Sequence, residues 1–431
     1  MLYENLSTNE AGHLTIAGFD ACELAAEFGT PLYVLDEDRV RGRCRTYMDA
    51  CRRLLPQGSA IAFASKALCF KDIYRIVGSE GLCADVVSAG EIATALAAGF
   101  DASRLYFHGS NKTDDEIRYA LDAGVGTFVV DNENELEVLS AEASARGAVQ
   151  GVLLRVTVGL DPHTLAAINT GRVDSQFGVA IETGQALAFA RRALSMPGIS
   201  VQGFHSHIGS QIFEASSFCD QVDRLLAFAT DVREACGYIA STFNLGGGFG
   251  VPYVEGDGPL DIAEKISQIA EHLGKGCERA GYPLPSVVLE PGRSIVADSG
   301  VTLYTAGGAK HIEGYRDYVL VDGGMCDNPR YALYKSAYTI VNASRATADA
   351  DFTCTVAGRC CESGDRIAED VRIAKPTRGD VICVLTTGAY NFAMSSNYNR
   401  CMRPALVVLK GGEARLAVRR QTVEDLLALE V

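Results

Sequence analysis

A regular alternation between residues 58 and 298 constrains this chain more than any other feature. Eight short apolar runs read as strands: AIAFAS, LCADVV, RLYFHG, TFVVD, GVLLRVTV, SVQGFHSH, TFNLGG and SVVLEP. Between them lie stretches such as EIATALAAG, TDDEIRYALDAG, CDQVDRLLAFATDVREAC and DIAEKISQIAEHLGKGCERAG, with apolar residues at helical spacing. Parallel strands need a crossover, and each helix supplies one. Eight such units predict a (β/α)8 barrel over residues 31–298. A doubly wound open sheet is the alternative, but it would place a Gly-rich turn after the first strand, and IAFASKA has none.

Beyond residue 298 the texture changes. VTLYTAGG, DYVLVDGG, DFTCTVAG, DVICVLTTG, ALVVLKGG and ARLAVRR are alternating runs separated by Gly-containing turns. They predict an antiparallel β domain, a barrel or sandwich of residues 299–431 that also takes the N-terminal segment 1–30. HLTIAG and PLYVLD are further candidate strands for it. A length of 431 residues suits one large barrel and a smaller second domain. The formal charge of −15, with no Lys/Arg-rich run, speaks against nucleic acid and anionic membranes as partners. The polar start MLYENLSTNEAGHL has no secretory pattern, and no apolar run reaches membrane-spanning length. Fourteen cysteines are scattered without CxxC spacing, which predicts reduced thiols in a cytoplasmic protein and no metal or zinc site.

In a barrel of this kind the chemistry belongs at the C-terminal ends of the strands. Lys66 stands there after the first strand. It is either a lysine snorkelling to solvent or a nucleophilic amine that bonds a carbonyl. His205 and His207, two apart, follow the sixth strand. A metal pair is conceivable, but the sequence places no carboxylate or third histidine beside them. An imidazole stacked on a flat cofactor is the better use, and His207 is favoured because it leads into the Gly209–Ser210 turn. Gly246, Gly247 and Gly248 follow the seventh strand and either surround a phosphate with backbone N–H groups or simply make a tight turn. Ser210 and Arg293 could serve the same anion. Glu290, after the eighth strand, is either an ion-pair partner of Arg293 or the acid that keeps a ring nitrogen protonated. Lysine, phosphate cradle, stacking imidazole and acid together describe a pyridoxal phosphate site.

FASKA, DVVSAGE, HGSNK, GFHSHIGSQIF, NLGGGFG, EPGRSIVA, VDGGM, CCESGD, TGAY and SSNYNR together resemble the motif series of the barrel-fold (fold-type III, alanine racemase-like) pyridoxal-phosphate decarboxylases. Within them the series is most similar to the diaminopimelate decarboxylases, and the match runs in order over nearly the whole chain. The resemblance implies that Lys66 is the Schiff-base lysine and His207 the ring-stacking histidine. It implies that Ser210, Gly246, Gly247, Gly248 and the segment Glu290, Gly292 and Arg293 meet the phosphate and ring. Cys361 matches the proton donor and Glu362 the residue that meets the distal ammonium. Arg330 and Tyr334 match a substrate-binding pair, and Tyr390 a contact to cofactor and substrate. Three positions depart from the family pattern: Tyr331 replaces a proline after the arginine, Gln176 a lysine, and Leu68 an asparagine.

The implied reaction is decarboxylation of meso-2,6-diaminopimelate to L-lysine and carbon dioxide, the last step of lysine biosynthesis. An acid at the ring nitrogen favours this over racemisation, for which the racemases of the fold place an arginine there. A substrate with both a distal carboxylate and a distal ammonium needs an arginine for the first and an acid for the second. The alternatives are a decarboxylase of carboxynorspermidine, ornithine or arginine, and a non-catalytic homologue that still binds the cofactor. The resemblance also implies a homodimer with shared active sites, because the segment holding Cys361 and Glu362 reaches the neighbouring barrel in that family.

Overall fold

The computed structural model describes residues 3–160, 173–259 and 261–431. The chain divides into two compact units: residues 43–250 with 260–292, and residues 1–42 with 251–259 and 293–431.

In the first unit eight strands pair in parallel, each with the next along the chain. They are β1 (Ala60–Ala64), β2 (Cys83–Val86), β3 (Leu105–Phe107), β4 (Thr127–Val130), β5 (Gln150–Thr157), β6 (Ile199–His205), β7 (Thr242–Asn244) and β8 (Ser286–Leu289). Val288 opposite Ala60 and Leu289 opposite Ile61 return β8 to β1 and close the barrel. These are the eight strands expected. Strands covered on both faces must be apolar throughout, and Phe63, Phe107, Phe128, Phe204 and Phe243 are all fully buried. The helices between them bury one stripe each. The helix Ala215–Cys236 buries Phe218, Val222, Leu225, Leu226, Ala229 and Val232, spaced to fall on one side, and ends at the left-handed Gly237. The helix Asp114–Asp122 starts at a reciprocal cap between Thr113 and Glu116.

The second unit is built on a sheet whose strands run in the order Arg366–Ile373, Phe352–Ala357, Arg316–Val321, Gly300–Ile312, Leu32–Asp36, Ala405–Lys410 and Glu413–Val418. The sheet is mixed, not wholly antiparallel as expected. Arg316–Val321 runs parallel to Phe352–Ala357, and Leu32–Asp36 parallel to Ala405–Lys410. Neither pair is joined by a tight hairpin, so nothing local forces an antiparallel return. Leu32–Asp36, buried at all five residues, lies inside the segment allotted to the barrel, yet its hydrogen-bonded neighbours are strands of this sheet. The HLTIAG segment contributes Leu14–Ile16 to a separate three-stranded sheet with Leu6–Thr8 and Phe19–Asp20. Its Leu14 and Ile16 pack with Leu32, Val34, Val301, Leu303 and Leu409 in one core. Among the described residues, no helix is long and apolar enough to cross a membrane.

Candidate active site

At the C-terminal end of the barrel, the strand ends converge on Glu290. Its Oε1 accepts from His108 Nε2 at 2.7 Å and from Asn244 Nδ2 at 2.6 Å, and its Oε2 meets His205 Nε2 at 3.3 Å. These three partners follow or end β3, β7 and β6, so the barrel itself sets the geometry. Burial alone would raise the Glu290 pKa. Attraction to His108 and His205, with their hydrogen bonds, outweighs it and holds the carboxyl well below the usual range. Burial, against the pull of Glu290, lowers His205 to about 3, so it is a neutral imidazole donating from Nε2. Asp85, at the end of β2, behaves oppositely: burial pushes its pKa up despite the nearby His108. Two buried carboxyls within one strand-end cluster are thereby driven apart in proton affinity.

The sequence placed no acid or third histidine beside the His205–His207 pair. Folding corrects this, because His108 and Glu290 close on His205. The group is a hydrogen-bonded cradle for Glu290, and His207 stands outside it. Burial and then the ammonium of Lys66 push His207 well below the histidine range, so its ring is neutral.

Lys66 sits on a single 3-10 turn, Ser65–Ala67, immediately after β1. Ser65 and Ala67 are buried while Lys66 is exposed, so the amine is directed off the strand end. The EPG backbone packs tightly on this turn. Ala64 donates its N–H to the Pro291 carbonyl at 3.2 Å, and a Cβ at Gly292 would stand 2.9 Å from that of Ala64.

The glycine turn has equally little room. Gly246 has φ +66°, and a Cβ there would meet His207 Nδ1 at 2.7 Å. A Cβ at Gly247 would meet the Glu290 carbonyl oxygen at 2.1 Å. The carbonyls of Gly246 and Gly248 are taken up by the N–H groups of Glu290 and Ile212 at 2.8 and 2.9 Å. The turn is thus locked between β8 and the loop carrying Ser210, with backbone where side chains would otherwise project. A planar ring bearing an anionic group fits such an end: a neutral imidazole for its face, a fixed carboxylate for a ring N–H, glycine backbone for its phosphate and a lysine amine for its aldehyde.

The second unit gathers another set. Arg293 donates to the Tyr253 hydroxyl at 2.7 Å, and its guanidinium lies 4.8 Å from the centroid of the Tyr390 ring. Arg330 stands 5.3 Å from the centroids of both Tyr390 and Tyr334. Tyr390 adopts φ +62°, a conformation that costs a bulky residue energy and is held here by its surroundings. Arg330 is buried, donates from Nη2 to Ser336 at 3.3 Å, and has no hydrogen-bond partner at Nε among the described residues. A buried guanidinium donor without an acceptor is a natural carboxylate site. Of the three departures, Tyr331 lies in the short helix Arg330–Tyr334 with Lys335 Nζ 4.8 Å from its ring centroid, and Leu68 is buried.

Cys361 and Glu362 lie apart from this group, exposed on the loop between Phe352–Ala357 and Arg366–Ile373. Cys361 donates its N–H to Asn399 Oδ1 at 2.7 Å. Glu362 accepts from Gly364 N–H at 3.2 Å and Ser363 Oγ at 3.3 Å, and these bonds lower its pKa. The Tyr398 hydroxyl also reaches Glu362 Oε2, at 3.5 Å. Sequence reasoning did not single out His108, Asn244 or Tyr253. The first lies in the HGSNK motif, which carried the signal; Asn244 ends β7 directly before the glycine run. Tyr253 had no motif to mark it.

The pyridoxal binding domain of the pyridoxal-dependent decarboxylases matches residues 39–297. A diaminopimelate decarboxylase from Bacillus subtilis is 42% identical over 425 residues, covering 98% of this chain and 96% of its own. One from Mycobacterium tuberculosis is 41% identical over 437 residues, covering 99% and 97%. The chain belongs to the diaminopimelate decarboxylase family. Its fold agrees: the crystal structure of the diaminopimelate decarboxylase of M. jannaschii superposes with a TM-score of 0.91 at 31% identity, over 99% of this chain and 98% of that one. As a member of the diaminopimelate decarboxylase family the chain is a pyridoxal-phosphate-dependent decarboxylase, and the strand-end cluster around Glu290 suits that cofactor.

Proposed function

We propose that this enzyme decarboxylates meso-2,6-diaminopimelate to L-lysine, with the residue roles that follow. Lys66 would hold the cofactor through its aldehyde. His207 lies on the ring face. Ser210, the Gly246–Gly248 turn, Gly292 and Arg293 receive the phosphate. Glu290, charged and immobile, keeps a proton on the ring nitrogen. The chemistry that bound pyridoxal phosphate would supply there is an electron sink for decarboxylation. Cys361 then returns a proton to the carbon that lost the carboxylate.

The distal end of the substrate is read by Arg330, Tyr334 and Tyr390, with Arg293 near the same ring and Glu362 for the ammonium. The observation that carries this reading is the buried Arg330 with its unmatched Nε donor. A substrate with only a distal ammonium would leave that donor unpaired and repel it. A diaminopimelate decarboxylase of M. jannaschii has been crystallised with L-lysine, which is the product expected here. The comparison also includes a Vibrio vulnificus lysine/ornithine decarboxylase at 25% identity, so the substrate must be tested directly. Carbon dioxide release should be measured from meso-diaminopimelate, carboxynorspermidine, ornithine, arginine and lysine. Turnover of diaminopimelate alone is expected; turnover of ornithine or lysine without diaminopimelate would reject the assignment. Lys66→Ala should abolish the visible absorption of the lysine-bound cofactor.

We place Cys361 and Glu362 in the active site of a second subunit, making the enzyme a homodimer. Their exposure, with hydrogen bonds to Asn399, Ser363 and Gly364 on the same surface loops, supports this reading, since both side chains are open to a neighbouring subunit. All fourteen cysteines are free thiols, which suits a cytoplasmic enzyme working in a reducing compartment.

A further inference from the structure

Scattered cysteines without CxxC spacing predict no metal site, yet folding brings three of them together. The Sγ atoms of Cys326, Cys360 and Cys401 all lie within 4.8 Å of one another. Cys326 is buried and the other two are half-buried. The three come from separate loops: GGMC after Arg316–Val321, GRCC after Phe352–Ala357, and NRC ahead of Ala405–Lys410. Backbone bonds hold each in place. The Cys326 carbonyl accepts from Ser396 N–H at 2.8 Å, Cys360 N–H donates to Asp365 Oδ2 at 2.6 Å, and Asn397 Nδ2 donates to the Cys401 carbonyl at 2.8 Å.

What surrounds the sulfurs distinguishes between uses. A purely structural cluster would set small apolar thiols against apolar neighbours. Here Cys326 Sγ donates to Asp327 Oδ2 at 3.4 Å, and Asp365 stands beside Cys360. Thiol–disulfide exchange starts from a thiolate, which neighbouring carboxylates disfavour. The same carboxylates attract a dication, and a bound dication deprotonates thiols outright. The spacing also fits. Tetrahedral zinc with bonds of about 2.3 Å sets its thiolates roughly 3.8 Å apart, reachable from the observed cluster by small side-chain movements. A cavity of about 420 Å³ lined by Cys360, Glu362 and Asp365 provides a route in and room for an oxygen ligand.

We propose that Cys326, Cys360 and Cys401 form a site for a soft divalent cation of the zinc class, with an oxygen from Asp365 or water in the fourth position. The ion ties together three loops, one of which carries Cys361 and Glu362 next to Cys360, and another of which leads into Arg330. Its role is to position those residues; it takes no part in bond making. Cys361 stays outside the cluster, exposed, with its N–H on Asn399. The site stands independently of which amino acid the enzyme decarboxylates.

The test uses the reduced holoenzyme, dialysed and then given zinc or cobalt(II) alone. About one ion per chain is expected by elemental analysis, with near-ultraviolet sulfur-to-cobalt absorption and three sulfurs at about 2.3 Å by zinc X-ray absorption. Cys401→Ser and Cys326→Ser should each bind at least roughly tenfold more weakly, and Cys361→Ser should bind as the parent does. Parent enzyme that retains neither ion, shows a disulfide among the three by peptide mapping under reducing isolation, or loses the ion in Cys361→Ser but not in Cys401→Ser would overturn the proposal. The measurements on the parent decide the matter even where a variant fails to fold.

Discussion

Glu290 stays charged in a buried place because two imidazoles and an amide from three different strand ends converge on its two oxygens. Such an arrangement ties stability to pH with a definite sign. An unfolded histidine takes its proton near pH 6.5, whereas folded His205 takes it at about 3. Between those values the unfolded chain binds more protons, so stability is full above about 6.5 and falls on acidification. Glu290, depressed in the fold, adds a loss of the same sign once the pH drops below about 4.3, the value in the unfolded chain. The unfolding free energy from urea titrations should therefore fall steadily from pH 7 to pH 5, by up to about 1.4 kcal/mol per pH unit below 6.5 from His205 alone. His205→Asn should flatten that slope; an unchanged slope would contradict the assignment. For Arg330, replacement by lysine keeps the charge and removes the fork. Arg330→Lys should raise KM for diaminopimelate roughly tenfold or more while leaving cofactor absorption unchanged. Equal loss with a substrate lacking the distal carboxylate would show that Arg330 does not read that group.

The glycine turn after β7 shows what an element can tolerate. Gly247 packs against the Glu290 carbonyl with no space for a methyl group, whereas Gly274, within the helix Ile262–Ala280, would meet nothing within 4 Å. Gly247→Ala should abolish cofactor binding or soluble expression, while Gly274→Ala should raise the melting temperature modestly, in line with a gain of up to about 1 kcal/mol. A soluble, cofactor-loaded Gly247→Ala enzyme would show that the turn has slack it does not display. The sequence made this turn and the barrel legible for one reason. Buried parallel strands are continuous apolar runs, and residues placed just after them have only one end of the barrel to occupy. Strand direction in the β unit was not legible, because alternation looks the same in parallel and antiparallel pairs. Nor were the partners of Glu290: His108 lies 182 residues from it, and only barrel closure joins them. The three clustered cysteines escaped for the same reason.

At the scale of the whole molecule, the shared-site proposal makes a prediction that no single chain can satisfy. Lys66→Ala and Cys361→Ala subunits, each inactive alone, should regain activity when exchanged, because one of the two sites in a mixed dimer carries both native residues. Restoration to about a quarter of parental activity is expected for random pairing of two sites per dimer. No recovery, with subunit exchange demonstrated by mass, would place both residues in the same subunit's site. Leu32–Asp36 carries another consequence at this scale, for synthesis. Its neighbours in the sheet are Gly300–Ile312 and Ala405–Lys410. At roughly 5–20 residues per second, the ribosome delivers the later partner roughly 20–70 s after this strand is made. Until then one edge of this strand, apolar at Leu32 to Leu35, waits unpaired on the nascent chain, and a message truncated just before Ala405 should yield a product that aggregates or is degraded.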